Sequence, residues 1–173
     1  MKKIYSLLLI AFLMLTVSLE AQTFQKGDLG LNVGIGLGYR GFPIEVSATY
    51  GIVDDLFKVD GLTMSVGGYL GLSFFAGTEF YNWTWHTYAG TRILPAVRVL
   101  AHYTFFDKLE VFAGPALGVT LNRSSSFFGY DEGFNVYGSI AAGAKYYFTE
   151  NFGVYAETGY SIGYFMVGAT FKF

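Results

Sequence analysis

The sequence predicts an all-β protein, an eight-stranded antiparallel up-and-down transmembrane β-barrel, and three observations carry that prediction. The last nine residues alternate, with Phe165, Val167, Ala169, Phe171 and Phe173 on one face and Met166, Gly168, Thr170 and Lys172 on the other. A strand that is apolar on one side and small or polar on the other fits a lipid-facing wall. The chain also holds 14 Tyr, 18 Phe and 23 Gly with only 14% charged residues, more apolar and aromatic surface than a soluble domain usually carries. Yet after residue 21 no apolar run is long enough for a transmembrane helix. Hydrophobicity spread over alternating segments is what membrane strands require, because every second side chain meets lipid.

The amino-terminal stretch reads as a cleaved signal peptide, residues 1–21. Lys2 and Lys3 give a positive start, Ile4 to Val17 a short apolar core, and Ser18 to Ala21 a cleavage site before Gln22. Removing it leaves 152 of the 173 residues, 22–173, as one barrel domain; without Lys2, Lys3 and Glu20 it has 9 basic and 12 acidic side chains. That weakly acidic balance, with no basic cluster, argues against nucleic acid as a partner. The chain has no cysteine, which excludes both a lipid-modified amino-terminal cysteine and a disulfide framework.

Eight segments then alternate with period 2. The first, Asp28 to Tyr39, sets Leu29, Leu31, Val33, Ile35 and Leu37 against Gly30, Asn32, Gly34 and Gly36. The second, Ile44 to Tyr50, opposes Glu45, Ser47 and Thr49; the third, Leu62 to Phe74, opposes Met64, Val66, Leu70 and Leu72 to Ser65, Gly67, Tyr69 and Gly71. The fourth places Ile93, Val97, Val99 and Tyr103 opposite Arg92, Arg98, Leu100 and His102. The fifth, Leu109 to Leu121, turns Glu110, Phe112, Gly114 and Gly118 inward. The sixth turns Tyr137, Ser139, Gly143, Lys145 and Tyr147 inward, the seventh Gly153, Tyr155, Glu157 and Gly159, and Phe165 to Phe173 closes the ring.

An even strand number puts both termini on one side, the periplasmic side for an exported barrel. Phe106-Asp107-Lys108 and Thr149-Glu150-Asn151 read as tight turns there, with Val53 to Gly61 a longer connection. At the other end Ala76 to Gly90 and Arg123 to Gly133 read as two prominent loops, while Arg40-Gly41 and Ile162-Gly163 are short. Aromatics should form two interfacial belts: Tyr50, Tyr103, Phe105, Tyr146, Phe148, Phe152, Phe171 and Phe173 below, and Tyr39, Phe74, Tyr160 and Phe165 above. Pro95 and Pro115 fall on the outward face of the fourth and fifth strands, where each removes a ladder hydrogen bond, so either a bulge or a register other than this one is expected there.

The inward face collects Glu45, Arg98, His102, Glu110, Lys145 and Glu157. Inside a narrow barrel these should form an ion-pair network, structural in the first reading and a narrow ion path in the second. Hairpin registers set His102 against Phe112 and diagonal to Glu110, and Lys145 against Tyr155 and diagonal to Glu157. Tyr69, Phe112, Tyr137, Tyr147 and Tyr155 should plug the remaining space. His102-Tyr103-Thr104 with Glu110 distantly resembles the His-x-Ser and Glu set of a lipid A deacylase barrel, but Thr replaces Ser and the group points inward, so no catalytic residue is assigned. His86 and His102 lie too far apart, and Asp131-Glu132 offers too few oxygens, for a metal site; no cofactor is implied. The loop around Phe80 holds both tryptophans, and Trp83, Trp85 and Tyr88 are candidate surface contacts or an extension of the upper belt.

Signal peptide, eight alternating segments and the Gly-Ala-Thr-Phe-Lys-Phe end together resemble small bacterial outer-membrane proteins of the OmpX and OmpA-barrel type, over essentially the whole mature chain. The resemblance implies outer-membrane lipid as surroundings, insertion by the barrel-assembly machinery through the strand ending at Phe173, and a structural or surface-interaction role. It transfers no functional residue. No peptidoglycan-binding domain is expected after Phe173. A narrow channel or transporter is the alternative; a lipid-modifying enzyme and a soluble lipocalin-like barrel are the remaining classes.

Overall fold

The computed structural model describes residues 24–38, 41–106, 108–126, 129–159 and 162–173. Residues 1–21, Tyr39, Arg40, Asp107, Tyr160 and Ser161, on which some of the sequence expectations rest, lie outside the described residues, as do the side chains of Asp131 and Glu132. Eight strands follow one another: β1 (Leu29–Leu37), β2 (Phe42–Val53), β3 (Leu62–Tyr81), β4 (Thr84–Phe106), β5 (Leu109–Ser126), β6 (Gly129–Tyr147), β7 (Phe152–Gly159) and β8 (Phe165–Lys172). Each pairs antiparallel with the next, and β1 pairs with β8, so the sheet closes into a barrel. Closure leaves no strand edge around the ring, the condition for a sheet to sit in hydrocarbon.

The alternation read from the sequence sorts the side chains. Val33, Ile35, Val46, Leu70, Val97, Val99, Leu117, Val154 and Val167 are exposed on the outside, while Asn32, Glu45, Arg98, His102, Glu110, Lys145 and Glu157 are buried inside. At the end that carries both described termini, outward aromatics touch in sequence around the rim. Tyr146 meets Phe148 at 5.5 Å, Phe148 meets Phe152 at 6.1 Å, and Phe152 meets Phe171 at 5.4 Å.

Two expectations are corrected. The segments read as long loops are mostly strand among the described residues: β3 and β4 stay paired from Leu62↔Tyr103 to Tyr81↔Thr84, with only Asn82 and Trp83 between them, and β5 and β6 from Leu109↔Tyr146 to Ser126↔Gly129. The partner strands stop earlier, β2 at Phe42↔Phe74 and β7 at Gly159↔Ala141. From Phe74 to Tyr81 β3 therefore runs on for ~23 Å at ~3.3 Å per residue, carrying the β3–β4 hairpin past the rim with β5 beside it as far as Ala89↔Ser125. Neither proline makes a bulge. The β4–β5 register is the same on both sides of Pro95 and Pro115, and its shift falls at Thr104/Phe106 beside the turn. What is missing is pairing: nothing joins Leu94 with Thr120, Pro95 with Val119, Val99 with Pro115, or Leu100 with Gly114. Both prolines turn their donor-less nitrogens to the same seam, so the sheet keeps its register and gives up hydrogen bonds instead.

Candidate functional site: a filled lumen beneath a projecting ribbon

The lumen is filled in three layers. Nearest the termini, β4 and β5 place His102 and Glu110 diagonally, and the His102 Nδ1 to Glu110 Oε1 distance is 2.6 Å. Lys145 Nζ donates to the same Glu110 oxygen at 2.8 Å, because β5 and β6 pair Glu110 directly with Lys145. Lys145 faces Tyr155 across β7, as its hairpin requires, but its carboxylate partner is Glu110 and not Glu157. Tyr147 Oη donates to the other Glu110 oxygen at 3.3 Å. Phe24 covers this layer. Its ring stacks on His102 at 4.7 Å, with Lys145 Nζ 5.1 Å from the ring centre. The segment before β1 is held there by Gly27 N–H to Gly51 O at 2.9 Å and Lys26 N–H to Asp54 Oδ1 at 2.6 Å.

The middle layer centres on Arg98, whose guanidinium grips Glu157 with both arms, at 3.0 and 2.6 Å, and lies 4.1 Å from the centre of the Tyr69 ring. Such a fork-to-carboxylate pair is the ion pair that best repays its desolvation. Glu45, one strand away from the glycine wall of β1, accepts a hydrogen bond from Tyr155 Oη. The far layer holds no charge: Tyr69, Leu94, Ile162 and Met166 form a buried cluster, with Ala96 and Tyr137 packed against it and the Tyr69 hydroxyl accepting from Ile162 N–H at 3.5 Å.

The sequence reading did not assign three participants. Lys172 is buried, and its Nζ lies 5.4 Å from the Tyr147 ring centre. With it, the buried charges balance, Arg98, Lys145 and Lys172 against Glu45, Glu110 and Glu157. Its place on the inward face of β8 was the available signal. Phe24 stands ahead of any periodic segment and gave none. Ser65 joins through its Oγ, 2.7 Å from His102 Nε2. Ser65, His102 and Glu110 thus stand in the order of a nucleophile, base and orienting acid. However, Ser65 is 0% exposed, His102 lies under Phe24, and the Glu110 oxygen is shared with Lys145, so no substrate atom reaches the hydroxyl in this arrangement.

The candidate surface residues separate. Asn82 and Trp83 form the two-residue turn between β3 and β4, both with positive φ, 50° and 61°. Trp83 is 90% exposed and Trp85 68%, and both touch Phe80, at 6.4 and 5.0 Å between ring centres. Tyr88 lies on the opposite face, directly across from Gly77, where a Cβ would meet its ring.

A closed ring of eight antiparallel strands in chain order, apolar outside and packed with paired charges inside, is the eight-stranded outer-membrane barrel fold. Among solved structures the chain is similar to Ail, the attachment invasion locus protein of Yersinia pestis. Against Ail in complex with the heparin analogue sucrose octasulfate the TM-score is 0.58 at 14% identity, covering 86% of this chain and 100% of that one. Against a second structure of Ail the TM-score is 0.51, with 14% identity and the same coverage. At that identity the likeness is one of fold. No family model and no curated protein matches the sequence.

Proposed function

We propose that the protein is a non-catalytic integral outer-membrane barrel that acts as a rigid base for a surface-contact sheet. In this reading residues 1–21 direct export, residues 22–173 form the barrel, both termini are periplasmic, and the strand ending at Phe173 presents the chain to the barrel-insertion machinery. Outer-membrane lipid covers the apolar wall, and the extended ends of β3 to β6 point away from the cell. The network of Glu45, Arg98, His102, Glu110, Lys145 and Glu157 serves stability, and the ribbon bearing Trp83 and Trp85 serves contact.

The observation that carries this reading is the contrast between the two ends of β3 and β4. Within the ring they wall a lumen closed by two ionic layers and an uncharged one. Beyond it they raise large aromatic side chains into the open. A path for ions would have to cross the cluster of Tyr69, Leu94, Ile162 and Met166, which offers no charged group.

The test is planar-bilayer conductance of the refolded protein, with Arg98→Ala alongside. Silence from the wild type and from the variant, in which the far layer still closes the lumen, supports the reading; steady ion-selective conductance from the wild type replaces it with a channel. A fluorophosphonate probe should leave Ser65 unlabelled, and labelling would establish a hydrolase.

A further inference from the structure

From the contact surface proposed above, on which this inference rests, we infer that the outer face of the β3–β4 ribbon is a binding platform for uncharged oligosaccharide. Three independent observations lead there.

The first is the make-up of that face. Ala76, Thr78 and Phe80 of β3 stand beside Ala89, Thr87 and Trp85 of β4, pair by pair, and all are exposed. The cross-strand pairs read Ala–Ala, Thr–Thr and Phe–Trp towards the tip, where Trp83 adds a third ring. Aromatic rings present a negative face on which the electropositive C–H side of a sugar ring can lie, and threonine hydroxyls both donate and accept for sugar hydroxyls.

The second is charge. By register the positions on this face from Ala76 to Ala89 hold no ionisable residue; the nearest is Arg123 of β5, paired with Thr91 below them. A sulfated or phosphorylated ligand would call for Arg or Lys there, and a headgroup surface for basic residues among the aromatics. A neutral polyhydroxyl ligand needs neither.

The third is the turn. A two-residue hairpin with positive φ at both central positions is the turn that favours Asn-Gly, since only glycine takes the second position without strain. Asn82 follows that rule. The next residue is Trp83, held at φ 61° and 90% exposed, with its ring edge-on to Phe80 among the described side chains. Neither turn geometry nor burial accounts for a tryptophan there; a ligand does.

The chain's two tryptophans both lie in this ribbon, so intrinsic fluorescence reads the site directly. The refolded protein in a detergent without a sugar headgroup is titrated with maltohexaose, cellohexaose and chitohexaose, and in parallel with a heparin oligosaccharide and with anionic phospholipid vesicles. A saturable change with at least one neutral hexasaccharide is expected, weakened at least about tenfold in Phe80→Ala, whose tryptophans remain as reporters. Trp83→Gly should weaken binding while making the hairpin more resistant to protease, whereas a residue kept for structure would lower both. Silence with all three neutral sugars, or an unchanged response in Phe80→Ala, overturns the inference. A response confined to heparin or vesicles also overturns it but leaves the surface-contact reading standing; wild-type conductance would remove that reading independently.

Discussion

The two halves of the lumen wall are built from opposite materials. β1 to β3 turn mainly small groups inward, Gly30, Asn32, Gly34, Gly36, Ser47, Thr49, Ser65, Gly67 and Gly71, with Glu45 and Tyr69 the large exceptions. β4 to β7 carry most of the bulk, Leu94, Arg98, Leu100, His102, Glu110, Phe112, Lys145, Tyr147, Tyr155 and Glu157, set between small residues such as Ala116, Ala141 and Gly143. An eight-stranded ring has room for about one layer of large side chains across its width, so one wall must recede where the other advances. Tyr155 reaches over Gly34 to bond Glu45, and Ile162 fills the space over Gly71. The small wall is thus the socket for the large one, and its glycines are packing residues.

The bulky half should bear the largest losses. Glu157→Ala leaves the Arg98 guanidinium buried without the carboxylate that holds both its arms, at an expected cost of ~3–5 kcal/mol in urea unfolding of the refolded protein. A cost under ~1 kcal/mol would mean that water enters the middle layer, and would revive the ion-path reading. Phe24→Ala comes next, at ~3 kcal/mol for loss of a buried phenylalanine. It should also expose His102 to diethyl pyrocarbonate, which the intact protein resists. Rapid modification of the wild type would show that Phe24 does not cover the layer.

Gly34→Ala tests the socket itself. Its Cβ would meet the Tyr155 hydroxyl and, at 2.9 Å, the Val167 carbonyl, so ~1–3 kcal/mol of overpacking is expected. Tyr155→Phe removes the hydroxyl that clashes, and the double variant should therefore lose less than the sum of the two single changes. Strict additivity would show that the two walls do not interlock at this point.

How much of this was legible depended on whether a residue lay between lipid and lumen. Within the ring, alternation assigned nearly every side chain to its face, because lipid outside and a packed interior inside impose opposite demands on neighbours. Hairpin turns then gave the His102–Phe112 and Lys145–Tyr155 registers. The Glu110–Lys145 pair needed the β5–β6 register, whose connecting segment was read as a loop. Beyond the ring both faces meet water, so Thr78, Gly77, Thr87 and Gly90 carry no apolar-polar rhythm and the strands looked like loops. Phe24 folds in from outside any strand, and the Ser65–His102 contact crosses between strands joined by the longest hairpin, where a register cannot be counted from sequence.

The prolines sharpen the comparison from the other side, since they weaken the wall that carries the bulk. Pro95 and Pro115 both face the β4–β5 seam, and behind them the lumen is lined by Ala96, Gly114, Ala116 and Gly118, the thinnest stretch of the bulky half. Without donors at Pro95 and Pro115, the carbonyls of Val119 and Val99 lose their expected partners in a region that offers no water. Pro95→Val restores an N–H towards Val119 at a position already extended and β-favouring. It should raise stability by ~1 kcal/mol in the same urea titration, the smallest shift of the set and the only gain. Amide exchange across the seam should slow with it. If Pro95→Val destabilises instead, the seam is shaped by the ring of the proline as well as by its missing donor, and the irregularity is a packing feature of the bulky wall.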